Sequence, residues 1–309
     1  VVAMAVVVRH PPSLAFPLPF HCPYGGIGHH VTHSHIFVVF LLLFVFAVLV
    51  LLLFMASAIL QIPLNQNFWA IFLQSILYLC FWSALCLWMV SLLKSSSFNA
   101  LALISIWVVL TILIPAIVNN YVINTYQVPE ALDAMVEQRD GYHEKWDLEK
   151  DATMTGFLEA YPQFAKYSVP EDEFSWIWYY GMQHMGDLAA EGTSKEMMEK
   201  VMKRNTVSEN IAFFIPTMHA QLSFNSLAGT DMISHLEFLK ALSKFHEDLR
   251  LGFYTKVFDK KSADSLNWKN HEAKFYATKQ DFSWLHLMLP TLIITMIIGV
   301  FGAINLQRL

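Results

Sequence analysis

The sequence predicts an all-α, polytopic membrane protein with four transmembrane helices and a mostly helical extracytoplasmic domain between the third and the fourth. Three observations carry this prediction. Apolar residues make up 55% of the 309-residue chain and charged residues 15%, against roughly 25% charged in ordinary soluble domains. Charge is also segregated: all 25 Asp and Glu lie between Glu130 and Asp281, together with 17 of the 20 Lys and Arg. Only Arg9, Lys94 and Arg308 stand outside that stretch. Finally, no run alternates with period two for long enough to propose a sheet.

Residues 1–35 read as an irregular leader. They open on Val1, carry Pro11-Pro12, Pro17, Pro19 and Pro23, and then Gly25-Gly26-Ile27-Gly28. The order of charge and apolarity is not that of a signal peptide. His29, His30, His33 and His35 could converge on a divalent metal, since imidazoles so spaced can share an ion. The other reading is a disordered or mistranslated leader. No Cys, Asp or Glu completes the cluster, and no metal site is assigned.

Residues 36–124 form the membrane domain with three spans. Ile36–Leu60 is dense in Leu, Val and Phe and resembles a signal anchor. Phe68–Leu93 and Phe98–Val118 contain no Asp, Glu, Lys or Arg. A hydrocarbon core of about 30 Å needs about 20 apolar helical residues, so each run can cross once. The corner Lys94-Ser95-Ser96-Ser97 joins the last two as a hairpin, and its single charge is a lysine. Because cytoplasmic loops are enriched in Lys and Arg, Lys94 is expected inside. Trp69 suits an interfacial belt and Trp82 a helix contact. Cys80 and Cys86, six apart, read as packing residues rather than a metal or redox pair. Pro115 removes a backbone donor and should bend the far third of its helix. Asn119 and Asn120 follow, and could line a polar path or simply meet headgroups and water.

Residues 125–282 form the acidic extracytoplasmic domain. Leu132, Met135, Arg139, Tyr142 and Trp146 recur at helical spacing, after Pro129 at an expected first helical position. Pro170-Glu171-Asp172-Glu173 and Thr193-Ser194-Lys195-Glu196 read as helix starts, the first by its acids and the second as a capping box. Ile211–Thr230 lacks acids and bases but holds Pro216, His219, Gln221 and Asn225. It is expected either as the buried helix of this domain or as a helix lying flat in the membrane interface. A further helix starts after Gly229, capped by Thr230 or Asp231, with His235, Phe238, Leu242 and Phe245 on one face. Residues 283–309 supply the last span and a short tail ending near Arg308. Pro290 lies near its entry, and Gly299 and Gly302 are expected to permit close helix contact.

Catalytic signatures are missing from the sequence. There is no G-x-x-x-x-G-K-[ST] loop, no H-E-x-x-H helix and no G-x-S-x-G elbow, so no catalytic residue and no cofactor is assigned to this chain. Met182, Met185, Met197, Met198 and Met202 could offer copper(I) soft ligands, although methionine at helical spacing usually packs. The acidic balance argues against nucleic acid as a partner.

Two stretches carry a family resemblance. Leu93-Lys94-Ser95-Ser96-Ser97-Phe98-Asn99-Ala100, with Trp107 and Ile114–Asn119, resembles the late membrane hairpin of type-2 ABC transporter permeases. The likeness is to the branch described as permeases for multi-copper enzyme maturation. Ala228-Gly229-Thr230-Asp231, His235–Leu239, Phe245-His246 and Phe253-Tyr254 look like the second half of the outer domain that this branch carries before its last span. Gly229, Thr230, Asp231 and His235 are therefore singled out as a domain motif. The resemblance implies a permease subunit of an exporter in the bacterial inner membrane. Its expected partners are a separate cytoplasmic ATPase that binds the ATP, a second permease subunit and the lipid bilayer. Such permeases have six spans and a cytoplasmic coupling helix, so the chain reads as the C-terminal two-thirds of one behind a foreign leader. Two other classes compete: a membrane-anchored binding or sensor protein whose function sits in the acidic domain, and a membrane enzyme, which the missing motifs disfavour.

Overall fold

The computed structural model describes residues 27–262, 267–274 and 282–308, with side chains described from Phe44 onward except at Asn270. Most of the leader, Cys22 and Asp281 therefore lie outside the described residues. So do the side chains of His29, His30, His33 and His35, which stand on a helical backbone. Every described element is helical. In order these are α1 (Ile27–Leu60), α2 (Gln66–Ser91), α3 (Ser96–Val108), a π-helical segment (Val109–Leu113), α4 (Ile114–Thr125) and α5 (Ala131–His143). There follow α6 (Lys150–Ala160), α7 (Trp176–Ala212), α8 (Pro216–Leu227), α9 (Met232–Phe258) and α10 (Trp284–Gln307), with short 3₁₀ turns after α5, α6 and α9. Three helical stretches are long and apolar enough to cross a membrane: Gln66–Ser91, Ser96–Thr125 and Trp284–Gln307. The described apolar part of α1, Phe44–Leu60, is shorter.

The chain forms two compact units. One combines residues up to Val118 with Glu209–Ala228 and Gln280–Leu309. The other combines Asn119–Ser208 with Gly229–Lys279.

In the apolar unit α2 is the central helix. Asn65 caps it by accepting from the Phe68 amide at 3.1 Å, and Ser95 caps α3 by accepting from Phe98 at 3.3 Å. Each side chain satisfies an amide that the first helical turn leaves without a partner. On one side Phe54 of α1 meets Phe68, Trp69 and Phe72 edge-on. Phe81, Trp82 and Leu85 are buried against Leu103, Ile106 and Leu110 on one flank and Ile294 and Ile298 of α10 on the other. The helix contact expected of Trp82 is thus present, whereas of the two cysteines read as packing residues Cys80 is exposed and Cys86 half-buried.

Helices α2 and α10 run parallel. Ala70 meets Leu287 in one cluster, Trp88 faces Gly302, and Asn305 Nδ2 donates to Ser91 Oγ at 3.4 Å. A Cβ on Gly302 would sit 3.4 Å from the Trp88 backbone, in ordinary van der Waals contact, so the two helices lie close at this glycine. Nothing lies within 4 Å of the equivalent point on Gly299, so only one of the two expected glycines makes the contact.

The acidic unit has an aromatic core of Met154, Phe157, Phe164, Ile177, Trp178, Met182 and Tyr254, drawn from α6, the turn after it, α7 and α9. Met182 is fully buried there, which accounts for its apolar character without a ligand. Three expectations in this unit need correction. Pro129 precedes the helix rather than opening it, since Glu130 is the residue before the first turn of α5. Residues 170–173 are not helical. Their carbonyls are taken by Lys150, whose Nζ donates to Pro170, Glu171 and Glu173 at 2.5–2.7 Å. Carbonyls turned together onto one ammonium are not aligned to accept from the amides of a helical ladder. Thr193–Glu196, finally, falls inside the uninterrupted 37-residue α7, where no free amide awaits a cap.

Candidate functional site

Helix α8 starts at Pro216, which suits a first helical turn because the missing amide would have had no partner. Although acidic sequence flanks it on both sides, it packs in the apolar unit against α2, the π segment and α10. It is thus not the buried helix of the acidic domain, one of the two roles expected for it. The other role, a helix in the membrane interface, is compatible with this packing.

Three polar contacts hold α8, one on each long apolar stretch. The first depends on Pro115. In the π segment the Ile114 amide bonds the Val109 carbonyl, five residues back instead of four. The Leu110 carbonyl would then need the amide of residue 115, and proline has none. Thr217 Oγ1 donates to that carbonyl at 2.7 Å. The bend expected from Pro115 is therefore realised as a local widening of the helix, with a side chain of α8 supplying the lost donor. The second contact is His219 Nε2, 3.0 Å from the Leu287 carbonyl. A carbonyl only accepts, so Nε2 carries the proton. Leu287 lies in the turn before Pro290, inside α10. The third contact is Asn67 Nδ2, which donates to the Leu227 carbonyl at the C-terminal end of α8 at 3.3 Å.

The residues singled out in the sequence sit at helix ends. Ala228 closes α8, and Gly229 follows with φ +67°, a conformation open to glycine and strained for other residues. Asp231 caps α9, accepting from the Ser234 amide at 3.2 Å and from the Ser234 hydroxyl. Of the two caps proposed, Thr230 and Asp231, the structure thus selects Asp231. His235 is exposed in the first turn of α9. This motif shapes the exit from α8 and the start of α9. Asn119 and Asn120 are both exposed on α4, and Asn124 Nδ2 donates to the carbonyl and side-chain oxygen of Asn120 at 2.8 and 3.0 Å.

The acidic unit holds a separate polar network that sequence reading missed. Arg250 of α9 donates to Asp187 Oδ2 at 2.8 Å and to Tyr161 Oη at 3.1 Å, and pairs with Glu247. Tyr161 Oη donates to Glu247 Oε1 at 2.5 Å, and Gln138 Nε2 to Asp187 Oδ1 at 2.6 Å. Burial opposes the Arg250 charge, but the bond to Asp187 and its other neighbours outweigh it and hold the cation above its ordinary range. Burial raises Tyr161, helped by its bond to Glu247. His184 is 7% exposed, with its ring against Phe157 and Tyr161. Burial and the nearby Arg250 lower its pKa below the ordinary value. The spacing Glu247–Arg250 was visible as i, i+3 on a helix; the partners from α5, α6 and α7 were not. Among the described residues no group of three His, Cys, Asp or Glu is placed to hold a metal ion.

Residues 130–276 match the family model described as a domain of unknown function (DUF3526). No curated protein and no solved structure matches the chain. The matched stretch includes α8, so the contacts on α2, the π segment and α10 are made by a helix belonging to that domain's sequence.

Proposed function

We propose that this chain is a membrane-spanning permease subunit of an ABC-type exporter in the bacterial inner membrane, pairing with a second permease subunit and driven by a separate cytoplasmic ATPase that binds the ATP. In this reading α1 is a fourth span, Lys94 and Arg308 face the cytoplasm, and residues 125–282 lie outside apart from α8, which packs with the spans. The supporting observation is the attachment of α8. A helix from within the acidic sequence makes a polar contact with each of the three long apolar stretches. A passive anchor would not need polar contacts to every apolar stretch. A transporter whose outer domain and spans move together would. The resemblance of Leu93–Ala100 and Ala228–Leu239 to type-2 permeases points the same way.

The test is co-expression of an ABC-type ATPase with the chain joined to the upstream spans and coupling helix that the resemblance implies, followed by capture from detergent. The expected result is co-purification, with ATP hydrolysis by the captured ATPase altered by Thr217→Val. Capture of a sensor kinase instead would favour the second reading, a membrane-anchored binding or sensor protein. The observation behind that reading is the Arg250–Glu247–Asp187–Tyr161 network with its buried histidine.

A further inference from the structure

Gln74 and Thr291 are both 0% exposed. The amide oxygen and nitrogen of Gln74 and the hydroxyl of Thr291 are buried without a hydrogen-bond partner. They stand one turn beyond Ala70 and Leu287, on the same helix faces, and that pair packs together with Leu227 of α8. In the parallel register of α2 and α10 the two side chains therefore share a level. That level lies seven to eight residues inside the helices, about 10–12 Å at ~1.5 Å per residue. On α8, His219 reaches Leu287 at 3.0 Å, and Ser223, one turn further on, is buried.

An unpaired amide or hydroxyl in an apolar interior is costly unless it gains a hydrogen-bond partner. Two at one level point to a partner that the described residues do not supply. The partner's chemistry follows from the donor set. Gln74 offers two donors and one acceptor, and Thr291 a hydroxyl that does either. No Asp, Glu, Lys or Arg occurs in α2, α8 or α10, so nothing nearby would neutralise a charge. The surrounding wall of Ala70, Leu227 and Leu287 is apolar, and Leu285, Leu292 and Met296 are exposed on α10. A ligand seated here carries an uncharged hydrogen-bonding group on an apolar body.

We propose that Gln74 and Thr291, at the junction of α2, α8 and α10, bind the uncharged polar headgroup of an amphiphile that enters from the lipid. The inference rests on the permease reading only in naming that amphiphile as the cargo class. Binding itself is measured without an ATPase, so the two can fail separately.

The test uses the full chain in phosphatidylcholine nanodiscs and three diazirine probes: a monoacylglycerol with a neutral diol head, a phosphatidylglycerol with an anionic head, and hexadecane with none. Photoadducts are mapped by mass spectrometry. The monoacylglycerol should label 66–78, 216–227 and 284–295 saturably, and excess unlabelled monoacylglycerol should compete. Gln74→Leu and Thr291→Val should each reduce that labelling at least five-fold, and Thr291→Ser should retain it. Phosphatidylglycerol and hexadecane should show no enrichment at those segments. Competition on the wild-type chain needs no variant to fold. Non-saturable labelling there would mean bulk lipid contact rather than a binding site and would overturn the proposal. Equal labelling by hexadecane, or saturable labelling by phosphatidylglycerol alone, would also overturn it.

Discussion

Thr217→Val isolates the contact on which the placement of α8 depends. Valine keeps the shape and removes the hydroxyl that donates to the Leu110 carbonyl at 2.7 Å. Leaving a sheltered carbonyl without a donor costs about 1–3 kcal/mol, while side-chain bonds inside membrane proteins average nearer 0.6 and reach about 1.7 kcal/mol. The expected loss is therefore about 1–1.5 kcal/mol, roughly a tenfold shift in the folding equilibrium. The structural cause can be tested separately. Pro115→Ala restores an amide that can serve Leu110 in π register, or lets the helix return to α register with Ile114 serving it. In that background Thr217→Val should cost no more than about 0.3 kcal/mol, giving a coupling of about 1 kcal/mol. Equilibrium unfolding of the full chain in bicelles by steric trapping would measure all four corners of the cycle. Equal costs for Thr217→Val in both backgrounds would refute the argument that Pro115 creates the vacancy Thr217 fills.

Two further expectations concern the acidic unit and its link to α8. Gly229→Ala must hold a non-glycine residue at φ +67° and should cost about 1 kcal/mol. Asp231→Ala should cost a similar amount through loss of the cap, whereas Asp231→Asn should retain most of it; thermal unfolding of the full chain reads all three. For His184, burial and Arg250 place the folded pKa below the unfolded value near 6.5, so the folded state binds fewer protons. Stability from this group is complete above pH 6.5, falls as pH drops below it, and levels off beneath the folded pKa. His184→Leu should flatten that part of the profile between pH 7 and 5, followed by tryptophan fluorescence; an unchanged slope would contradict the assignment.

The long apolar helices were legible because a bilayer demands uninterrupted apolarity, which composition alone reveals. The start of α9 was legible in the same local way, because Gly229 and Asp231 act within three residues of their own positions. What sequence could not show was anything depending on partners far along the chain. Pro170–Glu173 has the composition of a helix start, but Lys150, twenty residues earlier, takes its carbonyls. Ile211–Thr230 sits in acidic sequence yet packs with apolar helices. Its uncharged twenty residues marked it as unusual, but Thr217 found a use only through a carbonyl vacated by Pro115, about a hundred residues away. Gln74 shows the opposite limit. A single glutamine in an apolar run was passed over, and only full burial without a partner made it a candidate.

The account rests most directly on a membrane topology in which the Lys94 corner and the acidic domain lie on opposite sides. Ser96, Glu149 and Lys195 are all exposed, so single cysteines at these positions, in a chain lacking Cys22, Cys80 and Cys86, can be probed in intact cells with a membrane-impermeant thiol reagent. Glu149→Cys and Lys195→Cys should label at once, and Ser96→Cys only after permeabilisation. Immediate labelling of Ser96→Cys with protection of the other two would contradict the orientation and the proposed export role.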